Sequence, residues 1–265
     1  MEQDENKNLK LISVGDLFKK SWQIFKKGFW KLLGIFGIGL GINAGLVILM
    51  IIIIAISIFA GIIPISQIQK IIPSEMDMSL PASASAVWSL AGALSQFFIP
   101  LIAGLVLFLA FLIANYWISA SALAMAININ KDIKIKQALK QGWEKLTSYV
   151  WVGLLSCLII FGGSLLLIIP GLIFAVWFSF AVYALMRDNI QGWEALKRSK
   201  ELVSGYFWPV TGRIIILQLI IISATIILNL IAPGLGGILG IFASLFGLVY
   251  HYIIYQDLKR VKNTA

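Results

Sequence analysis

The sequence predicts an all-α polytopic membrane protein: six transmembrane helices arranged as three hairpins, each preceded by an interfacial amphipathic helix. Three observations carry that prediction. The chain of 265 residues is 60% hydrophobic and 12% charged, about half the charge fraction of a soluble domain, and its mean hydropathy is +0.93. Its apolar residues fall in blocks long enough to cross hydrocarbon, which takes about 20 residues per helix. Nineteen of the 21 lysines and arginines lie in four segments that alternate with three nearly uncharged ones, the asymmetry that orients membrane helices.

The N-terminal segment carries Lys7, Lys10, Lys19, Lys20, Lys26, Lys27 and Lys31. Residues 1–10 are polar, and the apolar run that follows is too long for a signal peptide. Ser13 with Asp16 has the form of a helix-capping box. Phe18, Trp22, Phe25 and Phe29 recur at spacings of three and four and share one helical face, opposite Lys19, Lys20, Lys26 and Lys27. A basic helix edged with aromatics suits the plane of the headgroups.

Span one occupies residues 29–63 and span two about 97–127. The intervening segment 66–86 is the one sizeable external loop, holding Lys70, Glu75 and Asp77, with Pro73 and Pro81 discouraging continuous helix. The apolar block 149–186 is too long for one span and predicts a break at Pro170-Gly171. The block 206–255 predicts one at Pro233-Gly234. Between these blocks lie the other basic segments: Lys131, Lys134, Lys136, Lys140 and Lys145; then Arg187, Lys197, Arg198 and Lys200; then Lys259, Arg260 and Lys262. Their common sign places both termini in the cytoplasm, in a single six-span domain of the cell membrane.

An internal repeat underlies the pattern. Phe18, Lys19, Ser21, Trp22, Phe29 and Trp30 align without gaps with Leu139, Lys140, Gly142, Trp143, Val150 and Trp151. Both align with Leu196, Lys197, Ser199, Lys200, Phe207 and Trp208. The three pseudo-repeats cover about 13–128, 133–188 and 190–258, each entering a span that ends near a proline: Pro64, Pro170 or Pro233. Trp30, Trp151 and Trp208 fall where a span meets the headgroups and are the expected interfacial anchors.

Candidate chemistry is sparse. No phosphate-binding loop, HExxH or zinc-type Cys/His spacing is present. Cys157 is the only cysteine and His251 the only histidine, and no Asp or Glu falls inside an apolar block. General acid–base catalysis needs neighbouring titratable groups, so the expectation is a protein without catalytic residues, cofactor or metal. His251 reads as a helix-packing residue. Arg213 is the one charge within a span. It either snorkels to the inner headgroups or grips an anionic lipid phosphate through its paired donors. Thr211, Gln218, Thr225 and Asn229 form a polar stripe along span five, serving as interhelical glue or as a cavity lining. Arg213, Gln218, Thr225 and Asn229 are the candidate lipid or substrate contacts. In span two, Asn115, Ser119, Ala122 and Ala126 share a face. Gly37, Gly41 and Gly45 in span one, with Gly236, Gly240 and Ser244 in span six, form small-residue faces expected to pack closely.

The net charge of +9 sits beside apolar runs, pointing to anionic lipid of the inner leaflet as partner and not to nucleic acid. Residues Ile169-Pro170-Gly171-Leu172-Ile173-Phe174, Arg187-Asp188-Asn189, Glu194-Ala195-Leu196-Lys197-Arg198-Ser199 and Gly205-Tyr206-Phe207-Trp208 resemble the membrane-domain family attached to some glycerophosphodiester phosphodiesterases. That family also occurs as stand-alone bacterial integral membrane proteins, and the similarity is best over about 165–215. The resemblance implies a six-span module near lipid metabolism or the envelope, with no catalytic residues to carry over, because the phosphodiesterase is a separate soluble barrel. Two functions follow as expectations: binding or translocating a lipid or other amphiphile, or acting as an accessory subunit through a protein partner or a homo-oligomer.

Overall fold

The computed structural model describes residues 10–62 and 82–264, with side chains at 10–56, 98 and 100–263. Pro64, the loop charges Lys70, Glu75 and Asp77, and Pro73 and Pro81 lie outside the described residues. The described chain is helical, with no strand among those residues. In order, the helices are α1 (Val14–Ile62), α2 (Ala82–Asn128), a 3₁₀ turn (Ile129–Lys131), α3 (Ile135–Glu144), α4 (Leu146–Leu166), α5 (Ile168–Phe178), α6 (Ala181–Asp188), α7 (Gly192–Val203), α8 (Phe207–Ile231) and α9 (Leu235–Thr264).

Six stretches are long and apolar enough to cross a membrane: Val14–Ile56, Pro100–Lys131, Leu146–Leu166, Ile168–Asp188, Phe207–Ile231 and Leu235–Asn263. The chain is therefore an all-α integral membrane protein. It divides into two compact units, residues 38–115 and the remainder. In the first, Asn43 and Asn115 exchange amide hydrogen bonds of 3.2 and 3.3 Å, and Asn115 also donates to the Phe111 carbonyl at 2.7 Å. A small apolar cleft of about 210 Å³ lies between Leu46, Val47, Met50, Leu107, Phe108 and Phe111.

The larger unit, 1–37 with 116–265, shows where a membrane protein finds packing energy. Lipid is as apolar as leucine, so helix association inside the bilayer gains little from burying hydrocarbon. Its fully buried side chains concentrate where the amphipathic helices meet the span ends: Leu17, Leu32, Leu123, Leu185, Leu196 and Leu258 among them. In α7, Ala195, Leu196, Ser199, Leu202 and Val203 form one buried stripe at helical spacing. The apolar face of this helix rests on protein.

The basic segments meet each other at the same end. Lys31 pairs with the Asp132 carboxylate and donates to the Ile133 carbonyl at 3.1 Å. Lys145 reaches the carbonyls of Leu185 and Met186 at 3.4 and 3.3 Å. Lys259 pairs with Asp188 at 2.7 Å, and Arg260 donates to the Lys10 carbonyl at 3.2 Å. Four collars separated in sequence form one basic rim.

Several expectations are revised. The first amphipathic stretch precedes its span, but no break separates them, because α1 runs unbroken through Lys27 and Gly28. The third repeat places Gly205 (φ 86°) opposite Lys27 and turns there. Glycine meets no steric cost in that conformation, whereas lysine does. The second repeat breaks at Lys145, between α3 and α4. The aromatic face of α1 also has a different role. Phe18 lies 5.0 Å from the ring of Tyr250, Phe25 5.6 Å from Phe246, and Phe29 5.4 Å from Phe242. These rings form a ladder along α9, each pair contributing about 0.5–1.5 kcal/mol beyond its buried area. Trp22 turns outward and is half exposed.

The break in the third block comes at Leu167, whose backbone is extended, three residues before Pro170. Pro170 lies in the first turn of α5, where its missing N–H costs nothing. Gly171 serves a close crossing: a Cβ there would lie 2.9 Å from Ser164 Cα. The fourth block breaks at Pro233-Gly234 as expected, with Gly234 at φ 98°. An unexpected second break at Ser179 and Phe180 divides span four into α5 and α6.

Ser199 of α7 satisfies that break. Its hydroxyl donates to the Trp177 carbonyl at 2.5 Å and accepts from the Phe180 N–H at 3.1 Å, fully buried. Such orphaned backbone groups need a partner away from water. Ser199, Gly142 and Ser21 occupy one position of the repeat, and all three are buried. At Gly142, a Cβ would sit 2.7 Å from the Ser121 nitrogen, so α3 crosses span two at backbone contact distance. Trp117 fixes the same crossing by donating to the Leu139 carbonyl at 3.0 Å. Ser199 and Gly142 thus mark where α7 and α3 meet the bundle.

The glycine faces behave otherwise than expected. Among the described residues, added Cβ atoms at Gly37, Gly41, Gly45 and Gly240 would meet nothing within 4 Å. Only Gly236 is closely approached, by the Asn229 side chain within its own hairpin. Small residues permit close approach without compelling it.

Candidate functional site

The expected contact residues do not form one site. Arg213 is buried, 8% exposed, because it lies on the face of α8 turned toward α9 and the N-terminal segment. Its Nη2 donates to the Ile12 carbonyl at 2.7 Å and its Nη1 to the Pro209 carbonyl at 2.9 Å. The Ile12 N–H donates to Asp257 at 2.8 Å, and Asp257 also accepts from Arg260 at 2.7 Å. Tyr250 donates to the Arg213 carbonyl at 3.2 Å. These groups clamp the chain just before α1, where Ser13 caps the helix by accepting from the Asp16 N–H at 3.1 Å. Arg213 therefore holds backbone carbonyls, a role that neither snorkelling nor a phosphate grip describes.

The polar stripe of α8 also separates into different roles. Thr211 and Thr225 return their hydroxyls to the carbonyls of Phe207 and Ile221, both at 2.8 Å, a local bond that removes them as free donors. Asn229 accepts from the Gly236 N–H at 3.2 Å and stitches the final hairpin turn. Gln218 and Thr211 each line a cleft, a different one.

The cleft at Gln218, of about 490 Å³, opens between α6, α8 and α9 and is lined by Val182, Tyr183, Gln218, Ser244 and Leu248. A second, of about 510 Å³, lies between α5 and α8 beneath Trp208, with Ile169, Leu172, Val176 and Ile214 along its walls. Ser179 and His251 line both. The His251 Nδ1 lies 2.8 Å from the Gly247 carbonyl, and its ring packs 6.4 Å from Phe180 and 6.2 Å from Tyr250. The break between α5 and α6 adjoins both clefts, since Ser179 lines each of them.

Trp30, Trp151 and Trp208 are 78%, 54% and 79% exposed, so all three repeats present this position outward, as anchoring in headgroups requires. No family model, curated protein or solved structure matches this chain. Its candidate site accordingly rests on geometry. Sequence reasoning overlooked the clefts because Ile169, Leu172 and Val176 look like ordinary lipid-facing residues. The signals in the chain were polar: Thr211 and Gln218 of the stripe, His251, and Ser179 in the middle of a span.

Proposed function

We propose that this integral membrane protein binds one hydrocarbon chain of a lipid or similar amphiphile in the cleft beneath Trp208, without catalysing a reaction on it. The observation that carries this reading is the cleft itself. It has the size of a small-molecule site, its walls are almost wholly hydrocarbon, and the exposed Trp208 is among its lining residues. Ser179, Thr211 and His251 supply the few polar atoms within reach. The adjoining cleft with Gln218 extends the space for a second chain.

The resemblance to the phosphodiesterase-associated membrane family supports a role near lipid metabolism. The basic rim supports a cell-membrane orientation with both termini in the cytoplasm, where anionic headgroups meet the collars.

Native mass spectrometry after extraction in mild detergent tests the proposal. Wild-type protein retains lipid, and Ala175→Trp, which fills the cleft from its α5 wall, loses it while keeping its helical circular dichroism. A folded variant with unchanged lipid adducts would refute the cleft assignment. A stoichiometric protein partner with no retained lipid would favour the accessory-subunit reading instead.

A further inference from the structure

A separate cleft lies within the basic rim, among residues that no part of the proposed hydrocarbon site uses. It measures about 290 Å³ and is lined by Asn128 and Lys131 after span two, Gln141 and Lys145 of the second amphipathic helix and its end, and Met186 and Arg187 at the end of α6. Three cations from three sequence segments converge there, and no carboxylate lines it. The three acids next to them in sequence have other partners, and Asp132 pairs with Lys31. Glu144 lies 3.8 Å from Lys140, and Asp188 takes Lys259 at 2.7 Å and the Tyr255 hydroxyl at 2.6 Å.

The donors are arranged to leave capacity facing the space. Lys145 gives protons to the carbonyls of Leu185 and Met186, and an ammonium has a third. Burial pushes the Lys145 pKa below its usual value, with Glu144 opposing the shift, so the charge is poorly compensated by its surroundings. Asn128 uses its amide protons on the Ala124 carbonyl and on the Gln141 Oε1, at 2.9 and 3.3 Å. That contact orients Gln141 and leaves its Nε2 as a neutral donor. Among the described residues Lys131 and Arg187 have no ion-pair partner. Like charges gathered without an acid repel one another, and an arriving anion relieves that repulsion. Guanidinium and ammonium together form the usual recognition set for phosphate oxygens.

We propose that this cleft binds a phosphate-type oxyanion, held by Lys131, Lys145 and Arg187 with Gln141 as neutral donor. The same chemistry recognises the phosphodiester of an anionic lipid headgroup and a free phosphate. The cleft joins the ends of spans two and four to the second amphipathic helix, so an occupant ties three separate segments together.

The test uses full-length protein in detergent and follows its melting temperature against two probes. One is inorganic phosphate at ionic strength held constant with chloride; the other is short-chain phosphatidylglycerol, compared with phosphatidylcholine. Arg187→Gln and Lys131→Gln remove exposed side chains at the cleft and leave the Lys145 contacts to α6 in place. Lys197→Gln, on the exposed face of α7 and outside the cleft, is the charge control. Wild-type protein is stabilised by at least one probe. Each cleft variant weakens that apparent affinity about tenfold or more, the loss expected for a hydrogen bond to a charged group, while Lys197→Gln does not. Stabilisation by phosphate identifies a free-anion site, and stabilisation by phosphatidylglycerol alone identifies a headgroup site. Equal weakening by Lys197→Gln, or no stabilisation of wild type by either probe, overturns the proposal. Retention of hydrocarbon in the other cleft is read separately by mass spectrometry, so each assignment stands or fails by itself.

Discussion

Replacing Arg213 with alanine isolates the clamp at the start of the chain. Two hydrogen bonds disappear, but only one ties distant segments: that from Nη2 to the Ile12 carbonyl, 2.7 Å long. The other serves Pro209 one turn earlier on the same helix. A hydrogen bond with one charged partner contributes about 1.5–3 kcal/mol, and every 1.4 kcal/mol is about a tenfold change in population. Opening of residues 10–13 should therefore become about tenfold to a hundredfold more frequent in Arg213→Ala. Hydrogen exchange read by mass spectrometry on peptides covering 10–16 measures it, because the Ile12 N–H is protected by Asp257. Arg213→Lys should recover part of the protection, since an ammonium can reach one carbonyl but lacks the planar fork. If Arg213→Ala stays folded and exchanges within threefold of wild type over this segment, the clamp reading is wrong. Arg213 would then return as a candidate contact for anionic lipid.

Three further outcomes are expected. Gly142→Ala should lower stability by about 1–3 kcal/mol in a detergent melt, because its Cβ meets backbone atoms of Ser121 that cannot rotate away. Ser199→Ala leaves the Trp177 carbonyl and the Phe180 N–H buried without their partner. It should cost about 1–3 kcal/mol and raise exchange at the α5–α6 break selectively. The Lys31 hydrogen bond and charge hold the exposed Asp132 carboxyl below its ordinary 3.8. A depressed carboxyl pKa means the contact is complete above 3.8 and is lost as pH falls through the folded value beneath it. A carbon-13 NMR titration of the Asp132 carboxyl checks this, and Lys31→Gln should return its midpoint toward 3.8.

The six spans and the basic rim were legible because each depends on properties summed over many residues: apolar length and the distribution of lysine and arginine. The break at Pro233-Gly234 was legible too, since glycine at positive φ there terminates one helix before the next begins. The Pro170-Gly171 signal was ambiguous in kind. Proline suits a helix start as well as a stop, and only the crossing with Ser164 shows which applies. Module one hid its continuity, because no residue at 26–28 marks the missing break except the absence of a glycine where the third repeat has Gly205. The site residues were least legible. Arg213 drew attention as the lone charge in a span, yet its partner Ile12 is an uncharged carbonyl 201 residues away in sequence. The cationic cleft assembles from helix ends at 128–131, 141–145 and 186–187, whose cations read one at a time are ordinary solvated lysines and arginines.

The bonds from Ile12 to Asp257 and from Arg260 to Lys10 span 245 and 250 residues. Contacts this remote form only after the intervening chain has been ordered. During synthesis, the stretch before the first helix has only the Arg213 contact to hold it until the last helix emerges. Shortening the chain by even its final ten residues would remove Asp257 and Arg260 and, of these ties, leave the Arg213 bond alone, although every span had already been inserted.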